Sequence, residues 1–287
     1  MKRRDCVQAL LACGCVTLAG PAVAAQERLR IGLTPVILAD QVAFLSRWRH
    51  YLSERVGCDV SFTARESYQG ILNMLFAGQI DAAWICGYPY TRYQADLSLL
   101  AVPLYQGQPS YQAYLIRSRD GSDPINGWAD LRDKVLAYSD PLSNSGWLVA
   151  QAQLAKAGLS PQDLRRSFFA HGHRNVAEAV AARLAQAGSI DGYVWETMRL
   201  HGMAAVAQTE VVWKSELFGF PPLVSKRGVT HPFIDRLRQA LLSMPDDSMG
   251  QGLLSALNLT GFTEGAPGLF DSIRRQAQSV PGSGVAA

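Results

Sequence analysis

Four short segments gather residue types that can bind charge. Asp140-Pro141-Leu142-Ser143-Asn144-Ser145-Gly146 follows an apolar run and opens a helical pattern. Its backbone N–H groups and the Ser143, Asn144 and Ser145 side chains therefore converge on one spot. The unpaired donors and partial positive charge of a helix N-terminus make an anion site without any lysine. A simpler use of the same residues is that Ser143 only caps the helix, and this segment taken alone favours the cap.

Ala170-His171-Gly172-His173-Arg174-Asn175 lies at another strand end before a helix. Two histidines one residue apart could ligate a metal, but no further cysteine or clustered carboxylate completes a tetrahedral set. The alternatives are an imidazole that donates to an anion and a solvated loop histidine. Glu66-Ser67-Tyr68-Gln69-Gly70 and Trp84-Ile85-Cys86-Gly87-Tyr88-Pro89-Tyr90 follow two more strand-like runs. Loops at strand carboxyl ends are where open α/β sheets bind ligands, so Tyr68, Tyr88 and Tyr90 could line one wall of a cleft. Aromatic packing beneath a loop is the competing explanation.

The elements that must position these loops alternate along the chain. Short apolar runs and helical patterns follow one another from Leu29 onward, which predicts an α/β architecture with largely parallel sheets. Leu29–Leu33 reads as a strand. The next segment places Val42, Leu45, Trp48, Leu52 and Val56 on one helical face and stops at Gly57. Val60–Ala64 and Ile80–Cys86 read as strands flanking a helix over Tyr68–Ala77, and further apolar runs at Leu99–Leu104 and Gln112–Ile116 complete a first lobe. A polar, turn-rich stretch at Ser118–Pro124 marks the first crossover. The second unit reads as strand Val135–Tyr138, helix Gly146–Ala157, strand Ser167–Ala170, helix Asn175–Ala187 and a strand-like run at Ile190–Trp195. The chain returns near Val211–Phe220 to a strand at Leu223–Ser225, followed by helices over Thr230–Met244 and Met249–Leu257. The expected divisions are 1–25, 26–118, 119–212, 213–280 and a loose Gly/Ser/Ala tail at 281–287.

The first division reads as a cleavable leader. Lys2, Arg3 and Arg4 precede an apolar stretch from Val7 to Ala19 and the small-residue run Ala22-Val23-Ala24-Ala25. The stretch is too short, and too interrupted by Gly14, Gly20 and Pro21, for a membrane anchor. Export follows, with the mature protein in the periplasm. Losing three basic residues and Asp5 takes the formal net charge from +3 to about +1, a balance that gives no reason to expect nucleic acid. Cys58 and Cys86 remain in an oxidising compartment. They sit near opposite ends of two strand-like runs, too far apart to bridge if the strands are parallel, so buried free thiols are expected.

The ordered set Ser67-Tyr68, Asp81-Ala82-Ala83-Trp84, Asp140 to Gly146, Gly172-His173 and Ile190-Asp191-Gly192-Tyr193-Val194-Trp195-Glu196 resembles the phosphate/phosphite/phosphonate-type substrate-binding proteins of ABC transporters. The likeness runs from about Leu29 to about Lys226, and Trp213-Lys214-Ser215 resembles the family's return crossover. It implies a type II periplasmic binding protein, two α/β lobes joined by a two-segment hinge with an anion held between them. Carried over by position, Tyr68 would contact the ligand from the first lobe, whereas Tyr88 stands as a ligand residue on the reading of its loop, which differs from the family's commonest form. Ser143, Asn144 and Ser145 with their amides would hold the oxyanion from the second, His173 would donate to it, and Asp191 or Glu196 would sit at the far end. The family's usual Ser-Thr-Ser-Gly reads Ser-Asn-Ser-Gly here, and Gln186 stands at a position that is usually acidic. A carboxylate beside an anion demands a ligand that keeps an acidic hydrogen or carries a distal amine.

The resemblance implies a monomer with no cofactor that captures a small oxyanion for an inner-membrane permease. A sensing role for a membrane kinase or a respiratory system would use the same fold. A hydrolase could instead recruit Ser145, His173 and Asp191 as nucleophile, base and orienter, although no nucleophile-elbow pattern surrounds the serine.

Overall fold

The computed structural model describes residues 28–34, 42–120, 124–229 and 231–285. The expected leader lies outside them. The first elements are β1 (Arg28–Leu33), α1 (Val42–Val56), β2 (Asp59–Ala64), α2 (Tyr68–Phe76), β3 (Ala82–Trp84), α3 (Gly87–Arg92), β4 (Leu97–Leu104) and β5 (Ser110–Ser118). Next come β6 (Val135–Tyr138), α4 (Val149–Lys156), β7 (Arg166–Phe169), α5 (His173–Ala181), β8 (Ala187–Asp191), α6 (Gly192–Leu200), α7 (Ala204–Ala207) and β9 (Thr209–Gly219). The chain closes with β10 (Leu223–Lys226), α8 (Ile234–Leu242), α9 (Ser248–Ala256), β11 (Gly261–Thr263) and α10 (Asp271–Ser279).

Two mixed sheets result, ordered β11-β4-β10-β3-β1-β2 and β7-β6-β8-β5-β9. In the first, β2, β1 and β3 are parallel, and β10 runs antiparallel between β3 and β4. In the second, β7, β6 and β8 are parallel, and β5 lies antiparallel between β8 and β9. Parallel strands need crossover helices, which cover both sheet faces and explain why these strands read as continuous apolar runs. Arg30 ties β1 to β3 through Asp81, with Nη2 2.7 Å from Oδ1.

Several expectations need correction. Both crossings lie closer to the hinge than the sequence suggested. β5 belongs to the second sheet, so the first crossing is Tyr105–Pro109 and not Ser118–Pro124. Trp213-Lys214-Ser215 lies inside β9, paired with β5, so the return falls at Phe220–Pro222. The two crossings lie side by side, with the Phe220 N–H donating to Pro109 O at 2.9 Å. An apolar strand run carries no mark of the sheet it joins; cross-strand pairing decides that.

α1 buries Phe44, Trp48, Tyr51, Leu52 and Val56, whereas Val42 is 82% exposed at the helix start. α5 stops at Ala181, and Ala187 already belongs to β8, because Arg183 adopts a left-handed φ of 61° that ends the turn. The run at Ile190–Trp195 is split between β8 and α6. The tail is packed through residue 285: Ser283 is buried, and its Oγ donates to Ala277 O at 2.6 Å. α3 and α10 were not anticipated.

Candidate functional site

The carboxyl ends of β2, β3, β6, β7 and β8 deliver the candidate loops to the contact between the lobes. Asp140 follows β6 and is buried. Its Oδ1 accepts from the Leu142 N–H at 2.8 Å, and its Oδ2 accepts across the cleft from the Tyr68 N–H at 3.1 Å. Ser143 then caps the next turn, its Oγ accepting from the Gly146 N–H at 3.0 Å. That turn, Asn144–Leu148, is π-helical, with the Leu148 N–H reaching Ser143 O at 3.0 Å. The wider turn depends on Gly146, where a Cβ would stand 1.8 Å from Ser139 Oγ. The cap expected of Ser143 is thus formed.

Asn144 is fully buried and joins both lobes: its N–H donates to Cys86 Sγ at 3.3 Å and its Nδ2 to the Tyr111 hydroxyl at 3.1 Å. Asn144 Oδ1 and Ser145 Oγ are buried without a hydrogen-bond partner among the described residues. The Ser145 carbonyl is fixed by the Ser189 hydroxyl at 2.6 Å.

His171 adopts a left-handed φ of 57°, followed by Gly172 at 151°, and this turn places His173 at the first position of α5. His171 is exposed and His173 is buried, so the two imidazoles do not face one ion. His173 Nδ1 accepts from the Asp191 N–H at 3.0 Å. The single imidazole proton therefore belongs on Nε2, which lies 3.3 Å from the Tyr68 hydroxyl and 3.4 Å from Ser143 Oγ. Burial pulls the imidazole down to about 3, so it is a neutral donor.

Asp191 ends β8 and caps α6, its Oδ1 accepting from the N–H groups of Tyr193 at 2.8 Å and Val194 at 3.3 Å. Burial raises this carboxyl to about 7 against those two bonds. Asp140 is also raised by burial, opposed by its bonds from the Leu142 and Tyr68 N–H groups. The Tyr68 and Tyr111 hydroxyls are held well above their ordinary range, by burial first and then by the neighbouring Cys86. Both phenol hydroxyls thus keep their protons near neutrality, and the imidazole is uncharged.

A cluster of neutral donors follows from this bookkeeping. Ser143 Oγ spends its acceptor capacity on the Gly146 N–H and His173, and the Tyr68 oxygen faces the Nε2 proton. With Nε2 as the donor, the hydroxyl protons of Tyr68, Ser143 and Ser145 meet no acceptor among the described residues. Among the described residues no lysine or arginine takes part in the hydrogen bonds of this cluster.

Tyr68, Ser143, Asn144, His173 and Asp191 are brought together, with Ser145 on the same turn. Glu196, one turn along α6, accepts from the Tyr114 hydroxyl at 3.3 Å and from Arg199 Nε at 2.8 Å. Tyr88 is buried, but its hydroxyl donates to the Ser283 carbonyl at 2.5 Å. Tyr90 packs its ring on Phe270, centroids 4.6 Å apart. Gln186 Oε1 accepts from the Val135 N–H at 2.8 Å at the start of β6, a sheet contact.

Among the described residues Cys86 is buried and Cys58 only partly so, and no disulfide joins them. The sequence reading missed Tyr111 and Cys86 as partners of Asn144. Tyr111 reaches the site on β5, paired with Phe218 of β9, a pairing that no local pattern encodes.

The serine–histidine–aspartate arrangement is not formed. Ser143, not Ser145, lies beside the imidazole, and Nδ1 accepts from a backbone N–H, so it has no proton to give a carboxylate.

Residues 31–267 match the family described as ABC transporter, phosphonate, periplasmic substrate-binding protein. The phosphate-import protein PhnD of Mycolicibacterium smegmatis is 29% identical over 200 residues, 65% of this chain and 62% of that protein, so the match spans less than two thirds of that relative. A binding-protein component of an ABC phosphonate transporter from Pseudomonas aeruginosa superposes with a TM-score of 0.78 at 21% identity, covering 88% of this chain and 85% of the other. PhnD1 of Prochlorococcus marinus, solved with methylphosphonate, gives 0.78 at 15% identity, covering 88% and 98%. At these identities the structural likeness establishes the fold, that of type II periplasmic binding proteins.

Proposed function

The chain belongs to the ABC-transporter phosphonate periplasmic substrate-binding proteins, and from that premise we propose that it captures a small tetrahedral oxyanion between its lobes for an inner-membrane permease. Phosphonate, phosphite and phosphate are the class. The observation that carries this reading is the Asp191 N–H bond to His173 Nδ1, which makes the imidazole a fixed donor beside the hydroxyls of Tyr68 and Ser143.

Neutral donors hold an anion through directed N–H and O–H dipoles, each hydrogen bond to a charged group contributing roughly 1.5 to 3 kcal/mol. Asp140 and Asp191 nearby disfavour a fully ionised, proton-free ligand such as sulfate. An acidic hydrogen on the ligand, or a distal amine, relieves that repulsion. Glu196 and Asp191 would stand at that distal end, and Asn144 with its Tyr111 bond would shape the wall. Export from a cleaved leader, residence in the periplasm and action as a monomer complete the reading.

A thermal-shift and calorimetry panel of phosphate, phosphite, methylphosphonate, aminoethylphosphonate and sulfate tests it, because a ligand that binds only the native state raises apparent stability. Stabilisation by at least one phosphorus oxyanion, and not by sulfate, is expected. A panel with no response overturns the proposal.

A further inference from the structure

The C-terminal segment reaches the anion loop through two aromatic rings. After α10 the chain turns back, and Ser283 is buried, with its Oγ donating to Ala277 O at 2.6 Å and accepting from the Val285 N–H at 3.4 Å. Its carbonyl accepts the Tyr88 hydroxyl proton at 2.5 Å. Gly284, at φ 71°, lies so close to the Arg92 guanidinium that a Cβ there would come within 2.8 Å. The tail is therefore seated against both α3 residues, Tyr88 and Arg92.

The Tyr88 ring, from the first lobe, stacks on Trp147, from the second, with centroids 6.1 Å apart and planes 19° from parallel. Trp147 follows Gly146 inside the π-helical turn that carries Asn144 and Ser145. A tyrosine anchored at its hydroxyl end as well as its backbone cannot swing its ring away, so the tail fixes the surface on which Trp147 rests.

We propose that Ser283, Tyr88 and Trp147 are positioning residues, through which the C-terminal tail holds the anion loop in its closed geometry. Tyr88 then acts on the ligand from behind the loop, by setting Trp147, and not by direct contact. Because the stack joins the two lobes, it exists only when they are closed. Weakening it raises the open population and lowers apparent affinity in proportion to the fall in the closed fraction. The relay does not depend on which anion is bound.

The test compares the full chain with Tyr88→Phe, with a chain ending at Val280, and with both changes combined. Hydrogen exchange of the Asn144 and Gly146 amides is read without ligand. Tyr88→Phe keeps the ring and loses one hydrogen bond, so exchange at those amides should rise about three- to tenfold while that of β1 and β2 stays unchanged. Adding Tyr88→Phe to the shortened chain should bring no further rise, because both changes cut the same bond. Affinity for methylphosphonate or inorganic phosphate should fall by less than that factor, only as far as the closed fraction drops.

Unchanged exchange at the loop in folded Tyr88→Phe overturns the relay, as does a multiplicative effect in the combined variant. If the shortened chain does not fold, Tyr88→Phe alone decides. A loop that loosens as expected in a protein that binds neither probe leaves the relay standing and refutes the oxyanion reading.

Discussion

The Asp191 N–H donates to His173 Nδ1 at 3.0 Å, while the Asp191 carboxyl turns to the N–H groups that open α6. One residue thus ends β8, caps α6 and sets the tautomer of the imidazole. The two N–H bonds only partly offset the Asp191 charge, and burial pushes both groups toward their neutral forms.

Opposite pH dependences follow for variants of the two. A histidine depressed from 6.5 to about 3 costs stability as pH falls through that window, because the unfolded chain takes up the proton first. A carboxyl raised from 3.8 to about 7 costs stability as pH rises, because the unfolded chain releases its proton first. In the parent the two slopes nearly cancel between about pH 4 and 6.5. Asp191→Asn, which keeps the cap, should lose ~1.4 kcal/mol per pH unit on acidification, and His173→Gln should lose as much on alkalinisation. Urea midpoints across that range measure both slopes; parallel slopes in the two variants would contradict the assignment.

Ser145→Ala should separate binding from stability. Its Oγ has no partner among the described residues, so the unliganded variant should unfold at the parent's urea concentration or slightly above it. Affinity for the best oxyanion should fall by about one to two decades, the worth of a hydrogen bond to a charged group. Calorimetry that finds parent-like affinity in both Ser145→Ala and His173→Ala would place the ligand elsewhere.

Gly146→Ala should be among the most damaging small substitutions. The new Cβ would lie 1.8 Å from Ser139 Oγ and 2.7 Å from Ser139 Cβ, so the turn must move. A cost of ~1 to 3 kcal/mol is expected, with weakened anion binding. Ser139→Gly removes both clashing atoms and should restore part of the loss. Denaturation midpoints of the three variants check this.

Cys86 should report closure. Its thiol is buried and, through burial, pushed up to about 11, and it accepts the Asn144 N–H from the opposite lobe. In a Cys58→Ser background, maleimide labelling should proceed only through the open form and slow when a binding oxyanion is added. Scattering on the same samples should show compaction. Labelling that ignores a saturating ligand would argue against a hinged clamp.

Local chemistry explains what the sequence alone determined. Apolar periods and Gly stops located most strands and helices. Ser143 and His173 stood out because a polar run at a strand end before a helix has few uses besides capping and anion binding. The family resemblance, not a local pattern, set Tyr68 and Asp191 beside them in expectation, and the structure brings the four side by side.

Tertiary structure decided everything that depends on pairing between distant segments. The sheet that β5 and β9 join is fixed by hydrogen bonds to each other and to β8, which no local pattern encodes, and so both crossings were misplaced. The run Ile190–Trp195 read as one strand, but after Asp191 the chain turns into α6 at Gly192, which packs so closely against Gln112 O and Tyr114 that a Cβ would come within 2.7 Å. Tyr88 looked like a cleft residue from its loop, but its hydroxyl is taken by Ser283, 195 residues away. A side chain's partner is set by where the whole chain returns, and a short window of sequence does not contain that return.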